Sequence, residues 1–161
     1  MIKLTLGAAT RAVCAAVLIA GGLTAAMPAT AQASPQDCER GARGFVDIPD
    51  NQSGVEVGPG YHFDLHPGAS WPGRITLKHA RINGEIRGFA SLTGPWAGDE
   101  VWMDWTVDGG RNWVQCGPFR ATRLGDPLTT AAQRTDNSTN WRFRACGSRG
   151  NGSPVQCTGW W

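Results

Sequence analysis

The segment His62-Phe63-Asp64-Leu65-His66 is the densest set of chemically capable side chains in this 161-residue sequence. Residues two apart on a strand share a face, so His62, Asp64 and His66 could converge on one metal ion, with His79 as a fourth ligand. Such a centre would make the chain a small metal-dependent hydrolase. Closing three successive same-face ligands on one ion needs a bent strand, and Pro67 ends the run. Scattered surface histidines are therefore the plainer expectation, and no cofactor is expected. A glycosidase pair of carboxylates could come from Glu85, Glu100, Asp104 or Asp126, although the sequence sets no separation between them. There is no Gly-x-Ser-x-Gly elbow, and no glycine loop of the kind that cradles phosphate between a strand and a helix.

Binding is better served than catalysis. Eight tryptophans against one tyrosine is an unusual balance, and most should fill the core. Those expected outside it are Trp71 and Trp96 in Pro/Gly-rich loops, Trp102 on a polar strand face beside Glu100 and Asp104, and Trp160 and Trp161. Flat aromatic faces suit sugar rings and protein partners alike. The segment "GSRGNGSP", centred on Arg149, is the one candidate for the exposed loop of a protease inhibitor.

The elements that must carry these residues read as strands. Short β-like runs recur between Gly, Pro, Asn and Asp: "GFVDI", "YHFDL", "RITLKHARI", "GEIRGFASL", "EVWMDWTV", "NWVQC", "WRFRAC" and "PVQCTGW". Ile86, Gly88, Ala90 and Leu92 alternate with Glu85, Arg87 and Ser91, as Val101, Met103 and Trp105 do with Glu100, Trp102 and Asp104. Trp141, Phe143 and Ala145 share a face opposite Arg142, Arg144 and Cys146. The stretch "DPLTTAAQR" (126–134) reads as helix or edge strand, and its strand-forming neighbours favour strand. About eight strands at this spacing predict an all-β sandwich or barrel.

Within that pattern "TVDGGRNW" (106–113) resembles the Asp box, Ser/Thr-x-Asp-x-Gly-x-Thr/Asn-Trp, with Thr106, Asp108, Gly110, Asn112 and Trp113 in place. Asp108 can accept turn N–H groups, and Gly109 and Gly110 can take positive φ without steric cost. The resemblance implies a folding device: in sialidases and small secreted ribonucleases the box carries no catalytic residue. "DNSTNW" (136–141) echoes it with Asp, Asn and Trp at equal spacing. Residues 100–160 together resemble the C, C′, E, F and G strands of fibronectin type III and related immunoglobulin-like domains. "DGG" before a tryptophan matches the C–C′ turn, "WRFRAC" the F strand and "GSRGNGSP" the F–G loop. The overall pattern is also similar to small, uncharacterised secreted proteins of actinobacteria.

Lys3 and Arg11, the uncharged run Ala12–Ala26 and the small-x-small sites in "ATAQA" predict a secretory signal peptide over 1–33, with cleavage after Ala33. Residues 34–161 then form a single domain. All thirteen acidic residues lie in it, against thirteen cations, so its net charge is zero. Nucleic-acid and anionic-membrane binders usually carry a basic excess, and neither partner is expected. Cys38, Cys116, Cys146 and Cys157 are an even set in an exported chain. The turn-rich segment between Cys146 and Cys157 favours a local bridge, leaving Cys38–Cys116. Loop entropy makes the short bridge worth about 3 kcal/mol and the long one about 4.5. The sequence thus predicts a secreted, disulfide-tied sandwich that binds a glycan or a protein.

Overall fold

The computed structural model describes residues 31–161; the signal-peptide expectation falls mostly on residues outside these. The described chain is all-β, with two sheets and two disulfides, Cys38–Cys116 and Cys146–Cys157, the pairing expected. In chain order the elements are β1 (Ala31–Ala33), α1 (Pro35–Glu39), β2 (Val55–Glu56), β3 (His62–Asp64), β4 (Arg74–Ile82) and β5 (Glu85–Thr93). They continue with β6 (Glu100–Thr106), β7 (Val114–Arg120), β8 (Leu128–Thr129), β9 (Gln133–Arg134), β10 (Arg142–Ser148) and β11 (Gln156–Cys157). The short helix α1 starts at Ser34, whose Oγ accepts the Asp37 N–H, with Pro35 in the first turn. No described helix is long and apolar enough to cross a membrane.

One sheet has the order β1-β7-β6-β10-β11. In the other, β4 and β5 form the central hairpin, β2 and β3 pair with β4, and β8 and β9 pair with β5. The ambiguous 126–134 stretch is thus extended, split into two short strands that each reach β5. "GFVDI" forms no strand of its own and contributes a single bridge, Val46 to Ala132.

The alternation in the sequence puts one face of each sheet into a common core. Ile75, Leu77, Ala90, Leu92, Val101, Met103, Phe143 and Ala145 meet there. Burial of this apolar surface is the main term holding the sheets together. The faces expected to be polar and wet are also covered. Loop 46–54 lies over Phe89 on the back of the β4–β5 hairpin, where Ile48 and Ala132 complete a second small cluster. On the back of the other sheet, Trp102 and Asp104 are 7% and 2% exposed. β7 carries one residue more than β6 between the pairs Val101–Phe119 and Met103–Cys116, a bulge at Gly117–Pro118. Gly117 has φ +125°, and a Cβ there would lie 2.7 Å from Cβ of Trp102. The absent side chain lets β7 close against that tryptophan.

Candidate functional site

Strand direction sorts the loops into two ends. The β4–β5 hairpin, the β6–β7 turn and the 135–141 segment gather at one end, because Ile82 pairs with Glu85, Thr106 with Arg142 and Arg87 with Arg134. Loops 65–73, 94–99 and 121–127 gather at the other.

At the first end the Asp box closes as its residue types require. Asp108 accepts the backbone N–H groups of Arg111 (2.9 Å) and Asn112 (3.0 Å), the Asn112 side-chain amide (2.7 Å) and the Thr106 hydroxyl (2.7 Å). These bonds, led by the Asn112 backbone N–H, hold its carboxyl far below the usual carboxylate range. A carboxyl whose lone pairs are engaged this way is a brace, not an acid catalyst. A depressed carboxyl stabilises the fold above its ordinary pKa and loses that contribution as pH falls. Acid should therefore loosen this hairpin early, read as a change in tryptophan emission below about pH 4. Asp108→Asn should remove that acid dependence while lowering stability at neutral pH. An unchanged acid profile in the variant would place the titrating group elsewhere.

The echo at 136–141 forms a second turn, with Asp136 accepting the Ser138 N–H at 2.9 Å. It docks on the first: the Gly109 N–H donates to Asn140 O at 2.8 Å. Gly110, at φ +96°, faces Trp160, where a Cβ would come within 3.2 Å of the indole nitrogen. The last residues continue the pairing of β11 with β10. Trp161 N–H donates to Phe143 O at 2.9 Å, and Phe143 N–H returns to Trp161 O at 3.0 Å. The Trp161 ring then stacks on His79, 5.9 Å between centroids and 9° from parallel.

Between these turns and the terminal tryptophans lies a groove of about 410 Å³. Its apolar wall is Tyr61, Trp141, Phe143, Trp160 and Trp161; its polar wall is Thr135, Asp136, Ser138, Thr139 and Arg142. Trp141 is fixed by its Nε1–H bond to Arg134 O at 3.0 Å, and Arg142 Nε donates to Thr139 O at 2.8 Å. Behind the groove, the Arg144 guanidinium lies 4.4 Å from the Trp160 ring centroid and 4.9 Å from that of Trp113. The same guanidinium donates to buried Asp104 at 2.8 Å. Burial pushes the Asp104 carboxyl up, partly offset by Arg144.

The opposite end is apolar. Trp71, Trp96 and Leu124 are 54%, 45% and 58% exposed and, with Ser70 and Ala97, line an open cleft of about 500 Å³. Trp96 is held from below: it stacks on His66 at 4.4 Å, and its Nε1–H donates to Trp71 O at 2.8 Å. His66 Nε2 lies 2.9 Å from Asp99 Oδ1, and Asp99 also accepts the Trp96 backbone N–H.

The expected site residues are thus redistributed. Trp71 and Trp96 come together at one end, Trp160 and Trp161 at the other, and Trp102 leaves the list because the sheet buries it. The metal set does not assemble. His62 is bound to Glu56 at 2.7 Å, Asp64 to Arg74 at 2.8 Å and His66 to Asp99, while His79 lies under Trp161. Among the described residues, the one cluster with ligand spacing is Asp104 with Cys146 and Cys157, whose sulfurs form a disulfide. The weighed glycosidase carboxylates also have cations: Glu85 meets Arg87, Glu100 meets Arg120, Asp104 meets Arg144 and Asp126 meets Arg123. Arg149 is exposed, but Gly150 of its loop packs against Gly98 and Asn151 accepts from Arg120. Sequence reasoning missed Tyr61 and Trp141 as groove walls; the Asp-x-x-x-Asn-Trp echo was the available signal for Trp141. No protein-family model, curated protein or solved structure matches this chain.

Proposed function

We propose that the chain is an exported, non-catalytic binding module of immunoglobulin-like topology that takes a saccharide in the groove beside its Asp box. The topological part rests on strand order. β7-β6-β10-β11 follows the C′-C-F-G order, and β4-β5 with β8 and β9 follows A-B-E. Export accords with the two disulfides and with the signal-like residues 1–33. The non-catalytic reading accords with the ion pairs and hydrogen bonds that occupy the candidate carboxylates and histidines.

The observation that carries the saccharide reading is the composition of the groove. Sugar rings need a flat apolar face beside hydroxyl-matching donors and acceptors, and this groove is lined by Trp141, Trp160 and Trp161 together with Asp136, Ser138, Thr139 and Arg142. Trp161→Ala should weaken binding to immobilised polysaccharides about 10-fold or more, or about 1.4 kcal/mol, and Trp71→Ala should leave it unchanged. Undiminished binding by the Trp161 variant would exclude the groove. The opposite end supports a second reading. Trp71, Trp96 and Leu124 present apolar surface with almost no polar matching, which suits apolar side chains of a protein partner.

A further inference from the structure

The zero net charge of residues 34–161 hides an uneven distribution. Among the described residues seven Lys and Arg side chains make no ion pair. Five of them, Arg43, Arg81, Arg111, Arg134 and Arg142, belong to the Asp-box end, while Lys78 is within β4 and Arg149 is in the loop that packs on Gly98 at the other end. Arg81 closes the β4–β5 hairpin onto Gly84 O at 2.7 Å, and Arg111 is in the box itself. Arg43 lines a cleft with Asp108, Asn112 and Trp113. Arg142 lines the aromatic groove, and Arg134 lies 4.8 Å over the ring of its Trp141 wall.

The acids at this end balance them only in part. Glu85 is taken by Arg87, Asp104 is buried against Arg144, and the oxygens of Asp108 are filled by turn donors. Asp136 alone faces the groove. Unpaired acids gather instead near α1, where Glu39 and Asp50 line one cleft. There burial, and then the charges of Asp47 and Asp50, push the Glu39 carboxyl up.

We infer that the saccharide of the proposed groove is anionic, bearing carboxylate, sulfate or phosphate groups that meet Arg142 and Arg134 while its rings lie on the tryptophan faces. This rests on the saccharide reading and narrows it. Guanidinium groups without a carboxylate partner are available for bidentate contact with such oxyanions. Asp136 favours a ligand that also offers hydroxyl donors over a continuous phosphate backbone.

Matched pairs test it: dextran sulfate against dextran, and oligogalacturonate against its methyl ester, with single-stranded oligothymidylate as the nucleic-acid arm. At low salt the charged member of at least one pair should bind about 10-fold or more tighter than its neutral counterpart, and the ratio should shrink towards one at about 0.5 M salt, where screening is short-ranged. Arg134→Gln/Arg142→Gln should bring the charged-to-neutral affinity ratio within each pair to about one, whatever it does to the neutral member. Arg111→Gln alone, outside the groove, should reduce that ratio less. Equal affinities within each pair would overturn the anionic inference and leave the saccharide reading standing. Binding to no saccharide would overturn both. Tighter binding of the oligonucleotide than of every acidic saccharide would overturn the inference in favour of nucleic acid.

Discussion

Replacing Cys38 and Cys116 together by alanine is expected to lower the unfolding free energy by about 4.5 kcal/mol, and the melting temperature by about 15–20 °C. The bridge spans 78 residues, against 11 for Cys146–Cys157. Reopening the longer loop returns more conformational freedom to the unfolded chain, whereas loss of the shorter bridge should cost about 2.8 kcal/mol. The native state adds to the difference. α1 is five residues long, too short to persist by itself. Cys38, fully buried, ties it to the centre of β7, while Cys146 and Cys157 already face each other across a ladder. Urea unfolding of the two double variants gives the comparison. A Cys38/Cys116 variant no less stable than the Cys146/Cys157 variant would show that the entropic ordering is wrong for this chain.

Arg144→Met should cost about 3–5 kcal/mol at neutral pH, the usual consequence of stranding a buried charge. Arg144 neutralises Asp104, which is 2% exposed, and supports the rings of Trp113 and Trp160. Methionine fills much of the volume but leaves the carboxylate alone. Asp104 already binds its proton more tightly than an unfolded aspartate does, and loss of the guanidinium strengthens this. A raised carboxyl favours the folded state at low pH and loses that contribution as pH rises through the window above its unfolded value. The deficit of the variant should therefore be largest near pH 7 and shrink towards pH 4. Adding Asp104→Asn should recover part of the loss at neutral pH, a coupling that a double-mutant cycle isolates. A deficit independent of pH would mean that Arg144 acts through packing on the tryptophans alone. On the proposed reading, saccharide binding should also weaken, because Trp160 forms part of the groove wall.

Local patterns were legible wherever a residue type has one low-energy solution. Period-two alternation located β5, β6 and β10, a β-like run between turn residues located β4, and the Thr-x-Asp-x-Gly-x-Asn-Trp spacing announced the turn that Asp108 closes. An even set of cysteines allows three pairings, and the turn-rich segment flanked by two of them favoured the one that the structure shows. Trp102 was misplaced for a physical reason. Alternation identifies which face is the more apolar, but it cannot tell whether a loop, a neighbouring strand or a long arginine covers the other. The histidines failed similarly. His62, Asp64 and His66 share a face in a straight strand, yet Glu56 on β2, Arg74 on β4 and Asp99 in loop 94–99 each hold one of them at hydrogen-bond distance, so the three do not converge on one point.

By itself the sequence determined the all-β class, most of the long strands and the Asp-box turn, because each is fixed by contacts between near neighbours, and it favoured the disulfide pairing that the structure shows. Only the tertiary structure decided which tryptophans share a surface and where the arginines collect. Those depend on which loops the two sheets bring to the same end. A net charge of zero is a sum over the chain, whereas a ligand meets only the charges within a Debye length of its groove.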